Sequence, residues 1–162
     1  MRNIKSIGVV IAICAFSLDQ ITKSWALNAL WPPYSQGIEV LPVLRLGLGF
    51  NTGITFGLFA EDAATAVWLL VTAKMAVVAV LAAWLFRTTV LQEVLGLSLI
   101  IGGAIGNTVD RLRLGAVVDF IDAHYRGWHW PTFNVADMAI VCGVATILIS
   151  TLRAKPSRVT VQ

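Results

Sequence analysis

Nine acidic side chains are few for 162 residues, and most of them stand beside amides or bases at the edges of apolar runs. Asp19 and Lys23 lie four apart, one above the other on a helix face, which is the spacing of an ion pair. Asn107, Asp110 and Arg111 close one apolar run; Asn134 and Asp137 open another. Asp119, in "GAVVDFID", has Val117, Val118 and Phe120 around it and no helix cap to serve. Two carboxylates brought together away from water share a proton, because one ionises at the expense of the other. The ionised member then activates water while the protonated one polarises a carbonyl, which is aspartic-protease chemistry. Asp119 and Asp137 are the candidate pair, although eighteen positions between them constrain little.

Asp137 also has a structural explanation. Asn134 as an N-cap with Asp137 at the third helical position makes a capping-box pattern and suits the helix dipole. Asp122 reads as a solvated loop acid. A serine protease finds no support, since "GLSLI" ends in Ile100 where glycine or alanine belongs. His124 and His129 are five apart, off the H-E-x-x-H spacing for zinc, and read as loop histidines. Lys74 lies within an apolar run, where it must snorkel or pair inward.

The elements that position these residues follow from composition. The chain is 57% hydrophobic and 13% charged, about half the charge fraction of a soluble domain. It reads as a single integral membrane domain over 1–162, with no basic, aromatic-interleaved stripe for nucleic acid. Four helical spans of roughly 20 residues are expected. They run from Ile7 to Leu27, Ala63 to Phe86, Val94 to Val109 and Val135 to Leu152. The third is short unless Thr88–Glu93 joins it. "GGAIG" at 102–106 is a small-residue packing face. The N-terminal run resembles a signal peptide without a cleavage site and reads as a retained first span. Cys14 and Cys142 read as small buried hydrophobes.

With both termini on one side, six basic residues (Arg2, Lys5, Arg87, Arg153, Lys155, Arg158) face four (Arg45, Arg111, Arg113, Arg126). That bias puts the termini in the cytoplasm and the polar cluster at the outer face. The outer loop 28–62 alternates Leu44, Leu46, Leu48 and Phe50 with Arg45, Gly47 and Gly49, the period of a strand, before a turn at "NTG". A second outer loop, 110–133, holds Trp128 and Trp130 for the headgroup layer, and the tail 153–162 is expected to be flexible. On these grounds a non-catalytic transporter or lipid-binding protein, with a buried Asp/Lys/Asn cluster, remains open beside the enzyme. Half-helices at mid-membrane would favour it, but here the polar groups lie at span ends.

Five blocks in order bear a more specific resemblance: "DQITK" at 19–23, "NTGITFG" at 51–57, "GGAIGNTVDR" at 102–111, "GAVVDF" at 115–120 and "FNVAD" at 133–137. Together they resemble bacterial lipoprotein signal peptidase, also called signal peptidase II. Thr55 departs from the alanine more usual there. The resemblance implies an α-helical membrane protein, a four-helix bundle with a small extracytoplasmic β-sheet cradle. It implies an intramembrane aspartic endopeptidase with Asp119 and Asp137 catalytic. Asp19, Lys23, Asn51, Gly53, Asn107, Asp110, Arg111 and Asn134 would line or support the site. The implied substrate is a diacylglyceryl-modified prolipoprotein, cut just before the lipidated cysteine, with no metal or other cofactor. Membrane lipid and globomycin-type inhibitors are the other implied partners. A monomer in the bacterial inner membrane is expected.

Overall fold

The structure is a computed structural model that describes residues 2–53 and 63–153. Thr55, with the rest of 54–57 in its block, and 154–162 of the expected flexible tail lie outside the described residues. The elements are helix α1 (Arg2–Ala29), strands β1 (Ile38–Leu41) and β2 (Leu44–Asn51), helices α2 (Ala63–Arg87) and α3 (Leu91–Leu114), strands β3 (Val117–Tyr125) and β4 (Trp128–His129), and helix α4 (Val135–Arg153). Among the described residues, three stretches have the length and apolar composition to cross a membrane: Ile4–Ala29, Val67–Arg87 and Val135–Arg153. Helix α3 has 24 residues but carries Gln92, Glu93, Asn107, Asp110, Arg111 and Arg113, which dilute its apolar run.

Helix α3 is the centre of the bundle and packs against α1, α2 and α4. Small residues allow the approach. A Cβ on Gly103 would come within 2.5 Å of the Ala136 carbonyl on α4, and one on Gly102 equally close to the Ala12 carbonyl on α1. The small-residue face thus packs as its spacing predicts. Val78 and Leu85 of α2 meet Val94, Leu97 and Ile101 of α3 in one core cluster. The α2–α3 corner is tied by Lys5, whose ammonium donates to the Leu85 carbonyl at 2.8 Å and also to that of Thr88. Thr88 Oγ1 donates to Glu93 Oε2 at 2.5 Å. This corner explains why Thr88–Val90 do not extend the third helix. Its far end stops at Gly115, which takes φ 74° and donates its N–H to the Arg111 carbonyl, a left-handed cap that glycine adopts without strain.

The outward faces of the helices are apolar, with Ile13, Leu18, Ile21, Trp68, Val80, Val141 and Leu148 exposed. That is the pattern of a surface made for lipid. Cys14 and Cys142 belong to these outer faces; both are exposed rather than buried as the sequence suggested, because an apolar helix in a bilayer gives no inside–outside contrast to read.

The expected strand at 44–50 is β2, in a sheet of order β1-β2-β3-β4 whose neighbours are antiparallel. The second outer loop is corrected: nine of its residues form β3, the longest strand. Val117, Val118, Asp119 and Phe120 are all buried, so β3 is covered on both faces and shows no period-two alternation to announce it. Leu48 of β2 with Val118 and Phe120 of β3 packs on Ala26 and Leu30 of α1, joining sheet to bundle.

Candidate active site

Asp119 lies in the middle of β3, opposite Gly49 of β2, and is 1% exposed. Its two oxygens have different partners. Asn134 Nδ2 donates to Oδ1 at 2.6 Å, and Asn51 Nδ2 donates to Oδ2 at 3.0 Å. Asn51 is itself aimed by a turn: its Oδ1 accepts the Gly53 N–H at 2.9 Å, which leaves the amide nitrogen for Asp119. Gly53 has φ 71°, so this turn favours glycine.

Asp137 is in the first turn of α4. Its Oδ1 accepts from Asn107 Nδ2 at 2.8 Å, and its Oδ2 accepts the Asn134 N–H at 3.2 Å. Asn134 Oδ1 accepts the Asp137 N–H in return at 3.0 Å, the reciprocal cap that the spacing predicts. Asn134 therefore donates to both carboxylates, to Asp119 from its amide nitrogen and to Asp137 from its backbone N–H, while its amide oxygen accepts the Asp137 N–H. Burial pushes the Asp119 carboxyl above the usual range, and the charge of Asp137 adds to it, against the pull of the Asn51 and Asn134 amides.

Behind the two acids stands a buried cation with three oxygens. Lys23 Nζ is 2.9 Å from Asp19 Oδ2, 2.8 Å from Asp110 Oδ2 and 2.8 Å from Asn107 Oδ1. Three acceptors match the three protons of an ammonium. The expected Asp19–Lys23 pair is present, within a larger cluster. Asp19 Oδ1 accepts the Ala136 N–H at 2.9 Å and so fixes the start of α4 on α1. Asp110 Oδ2 accepts the Val118 N–H at 3.2 Å and ties the end of α3 to β3. Gln20, not singled out from the sequence, donates to Asp110 Oδ1 at 3.1 Å and Asp19 Oδ2 at 3.2 Å. Its place beside Asp19 in "DQITK" was the available signal.

Arg111 does not pair with Asp110 in the structure, because Lys23 occupies that carboxylate. Its Nη1 donates to the Asn107 carbonyl at 3.2 Å, and its Nη2 fills the space beside Gly53, where a Cβ would come within 2.9 Å. The charges of Asp119 and Asp137 act on this guanidinium from β3 and α4.

Asp122, expected as a solvated loop acid, is 3% exposed. It joins Arg45 Nη2 at 2.5 Å and His129 Nδ1 at 2.9 Å, linking β2, β3 and β4. His124 and His129 are strand residues with stacked rings, rather than loop residues. A cavity of about 370 Å³, lined by Tyr34, Gly49, Asn51, Gly53, Asp119 and Thr132 among others, opens over Asp119. Asp119, Asp137 and the eight supporting residues singled out from the sequence thus form one connected cluster where the sheet meets the bundle.

Two carboxylates thus share Asn134 where the apolar helices meet the small sheet. The family model for signal peptidase (SPase) II matches residues 11–153. The lipoprotein signal peptidase of Rhodopseudomonas palustris is 42% identical over 155 residues, covering 93% of this chain and 94% of that one. That of a Methylobacterium strain is 41% identical over 146 residues, covering 90% and 88%. A solved bacterial membrane enzyme superposes with a TM-score of 0.79 at 26% identity, over 97% of this chain and 94% of that one. These matches define the class as a membrane peptidase. The chain belongs to the lipoprotein signal peptidase (signal peptidase II) family. Membership in a peptidase family takes the ground from the transporter or lipid-binding reading.

Proposed function

We propose that the chain is an aspartic endopeptidase that removes signal peptides from diacylglyceryl-modified prolipoproteins, cutting just before the lipidated cysteine, with Asp119 and Asp137 as its catalytic pair. The observation that carries this reading is the position of Asn134, which binds Asp119 and caps Asp137 at once. A cap alone explains Asp137; it does not explain a second buried acid on the same amide.

The pair holds one proton between its carboxyls, as burial of Asp119 beside Asp137 favours. The ionised member takes a proton from a water molecule, and the hydroxide so formed adds to the scissile carbonyl carbon. The protonated member donates to the carbonyl oxygen. Collapse of the tetrahedral adduct breaks the C–N bond: the proton taken from water passes to the leaving amine of the lipidated cysteine, and a hydroxyl proton of the adduct returns to the carboxylate that had donated to the carbonyl oxygen. Asn51, Asn107 and Asn134 keep the carboxylates in register, and Arg111 and Lys23 offset their charge. The reaction so written needs neither metal nor cofactor.

The same reading makes α3 the fourth membrane span and the whole chain one domain. Both termini face the cytoplasm of a bacterial inner membrane, and the polar end of α3 lies at the outer face with the sheet. There the substrate's diacylglyceryl group rests in the outer leaflet. Globomycin-type inhibitors would occupy the cleft, and the monomer is the working unit. The test is incubation of the purified protein with one prolipoprotein in lipidated and unlipidated forms, with products read by mass spectrometry. A product beginning at the lipidated cysteine, from the lipidated form alone, is expected. Cleavage elsewhere, or none, contradicts the assignment.

A further inference from the structure

A third cation lies near the two carboxylates and has no evident task in holding them. Lys74 is on α2, eleven residues past its first residue, or roughly 16 Å along the helix axis. That distance is beyond the reach of a lysine stem, so snorkelling to the outer end of α2 does not account for it. It lies instead in a groove of about 310 Å³ with Ala73 and Val77 of α2, Ile100 and Ala104 of α3 and Ile140 of α4. Every other lining residue is apolar. Ala104 and Ile140 are each three positions from a site residue, Asn107 and Asp137, so the groove runs up to the cluster. The charged groups that act on Lys74 are Arg111 from α3, Asp137 from α4, Lys23 from α1 and Asp119 from β3. Lys23 is fully engaged by Asp19, Asp110 and Asn107. Lys74 makes no hydrogen bond or ion pair among the described residues.

An ammonium kept in an apolar groove without a partner is costly unless something that enters the groove supplies one. We propose that Lys74 is a substrate-positioning residue: its ammonium donates to the unpaired backbone carbonyls at the C-terminal end of the substrate's apolar signal segment, seated between α2, α3 and α4. This rests on the peptidase function proposed above. A peptide bond presented to two carboxylates must be extended, so the helix that precedes it ends there. The last four carbonyls of that helix lose their partners and carry the negative end of its dipole. In hydrocarbon they require a donor, and among the described residues Lys74 is the one polar side chain that lines the groove.

The experiment measures binding apart from turnover. In an Asp119→Asn background, the affinity for a fluorescent lipidated prolipoprotein is compared with and without Lys74→Met, Lys74→Gln and Lys74→Arg. The Met and Gln changes should each weaken binding about tenfold, as for one charge-assisted hydrogen bond, and Arg should retain most of it. In the active protein the same loss should fall on KM, with the pH profile in place. Unchanged affinity in both neutral variants overturns the proposal. So does a displaced pH profile with KM unaltered, which would make Lys74 a modulator of the carboxylates. Altered melting with lipid composition but no change in precursor affinity makes the groove a lipid site and also overturns it. Failure of the wild type to cleave would sink the peptidase reading, while the binding arm still decides this one.

Discussion

Asn134 Nδ2 donates to Asp119 Oδ1 at 2.6 Å, although the two residues come from different elements, a helix cap and the middle of a strand. The same side chain accepts the Asp137 N–H, and the Asn134 N–H donates to the Asp137 carboxylate, so one residue ties the two acids together. Asn134→Ala should cost about 1 kcal/mol as a lost cap. It should also lower kcat by about a hundredfold, through displacement of both acids. Thermal unfolding and single-turnover cleavage check the two effects separately. A loss of stability with normal turnover would reduce Asn134 to a cap.

Arg111 tests the geometry around Gly53. Its guanidinium reaches both the Asn107 carbonyl and the space left by the missing Cβ of Gly53, and a lysine has no planar fork to do so. Arg111→Lys should lose at least tenfold in kcat/KM despite its retained charge, about 1.4 kcal/mol. Wild-type turnover and melting would make Arg111 a simple headgroup anchor.

Lys23 holds the cluster behind the site. Lys23→Met leaves Asp19 and Asp110 buried without their cation, and breaking such a pair costs about 3–5 kcal/mol. The unfolding temperature in detergent should fall sharply. Partial recovery is expected on adding Asp19→Asn, which removes one unpaired charge. No recovery would mean that the two residues are not coupled.

Asp122 predicts an acid limit. Its burial alone would raise the carboxyl, but the hydrogen bonds from His129 and Arg45 outweigh it and hold the group below the ordinary 3.8. A depressed folded pKa contributes stability that is full above the unfolded value and is lost as pH falls through the folded one. Unfolding followed from pH 5 downward should therefore lose stability mainly below about pH 4. The slope should be shallower in Asp122→Asn. An identical slope would contradict the ion-pair account of this sheet.

The parts of this architecture that were legible are those with a period or a cap. Apolar runs gave the helices to within a few residues, Leu44–Phe50 gave β2 by alternation, and Asn134–Asp137 gave the capping box. Strand β3 stayed hidden because α1 covers one of its faces and the polar cluster the other, so burial erased its alternation. Asp122 was misread for the same reason: a strand taken as a loop makes its acid look solvated. The partner of Asp110 was not legible, because its sequence adjacency to Arg111 says nothing about Lys23, which approaches that carboxylate from another helix.

The central claim is that Asp119 and Asp137 act as one unit on the scissile bond. The most direct measurement is single-turnover cleavage of a lipidated prolipoprotein by wild type, Asp119→Asn, Asp137→Asn and the double variant, each shown to be folded by its melting curve. The account predicts that each single change abolishes detectable cleavage and that the double change is little worse than either, since members of a catalytic unit are not additive. Near-normal turnover by either single variant would contradict it and remove that residue from the mechanism.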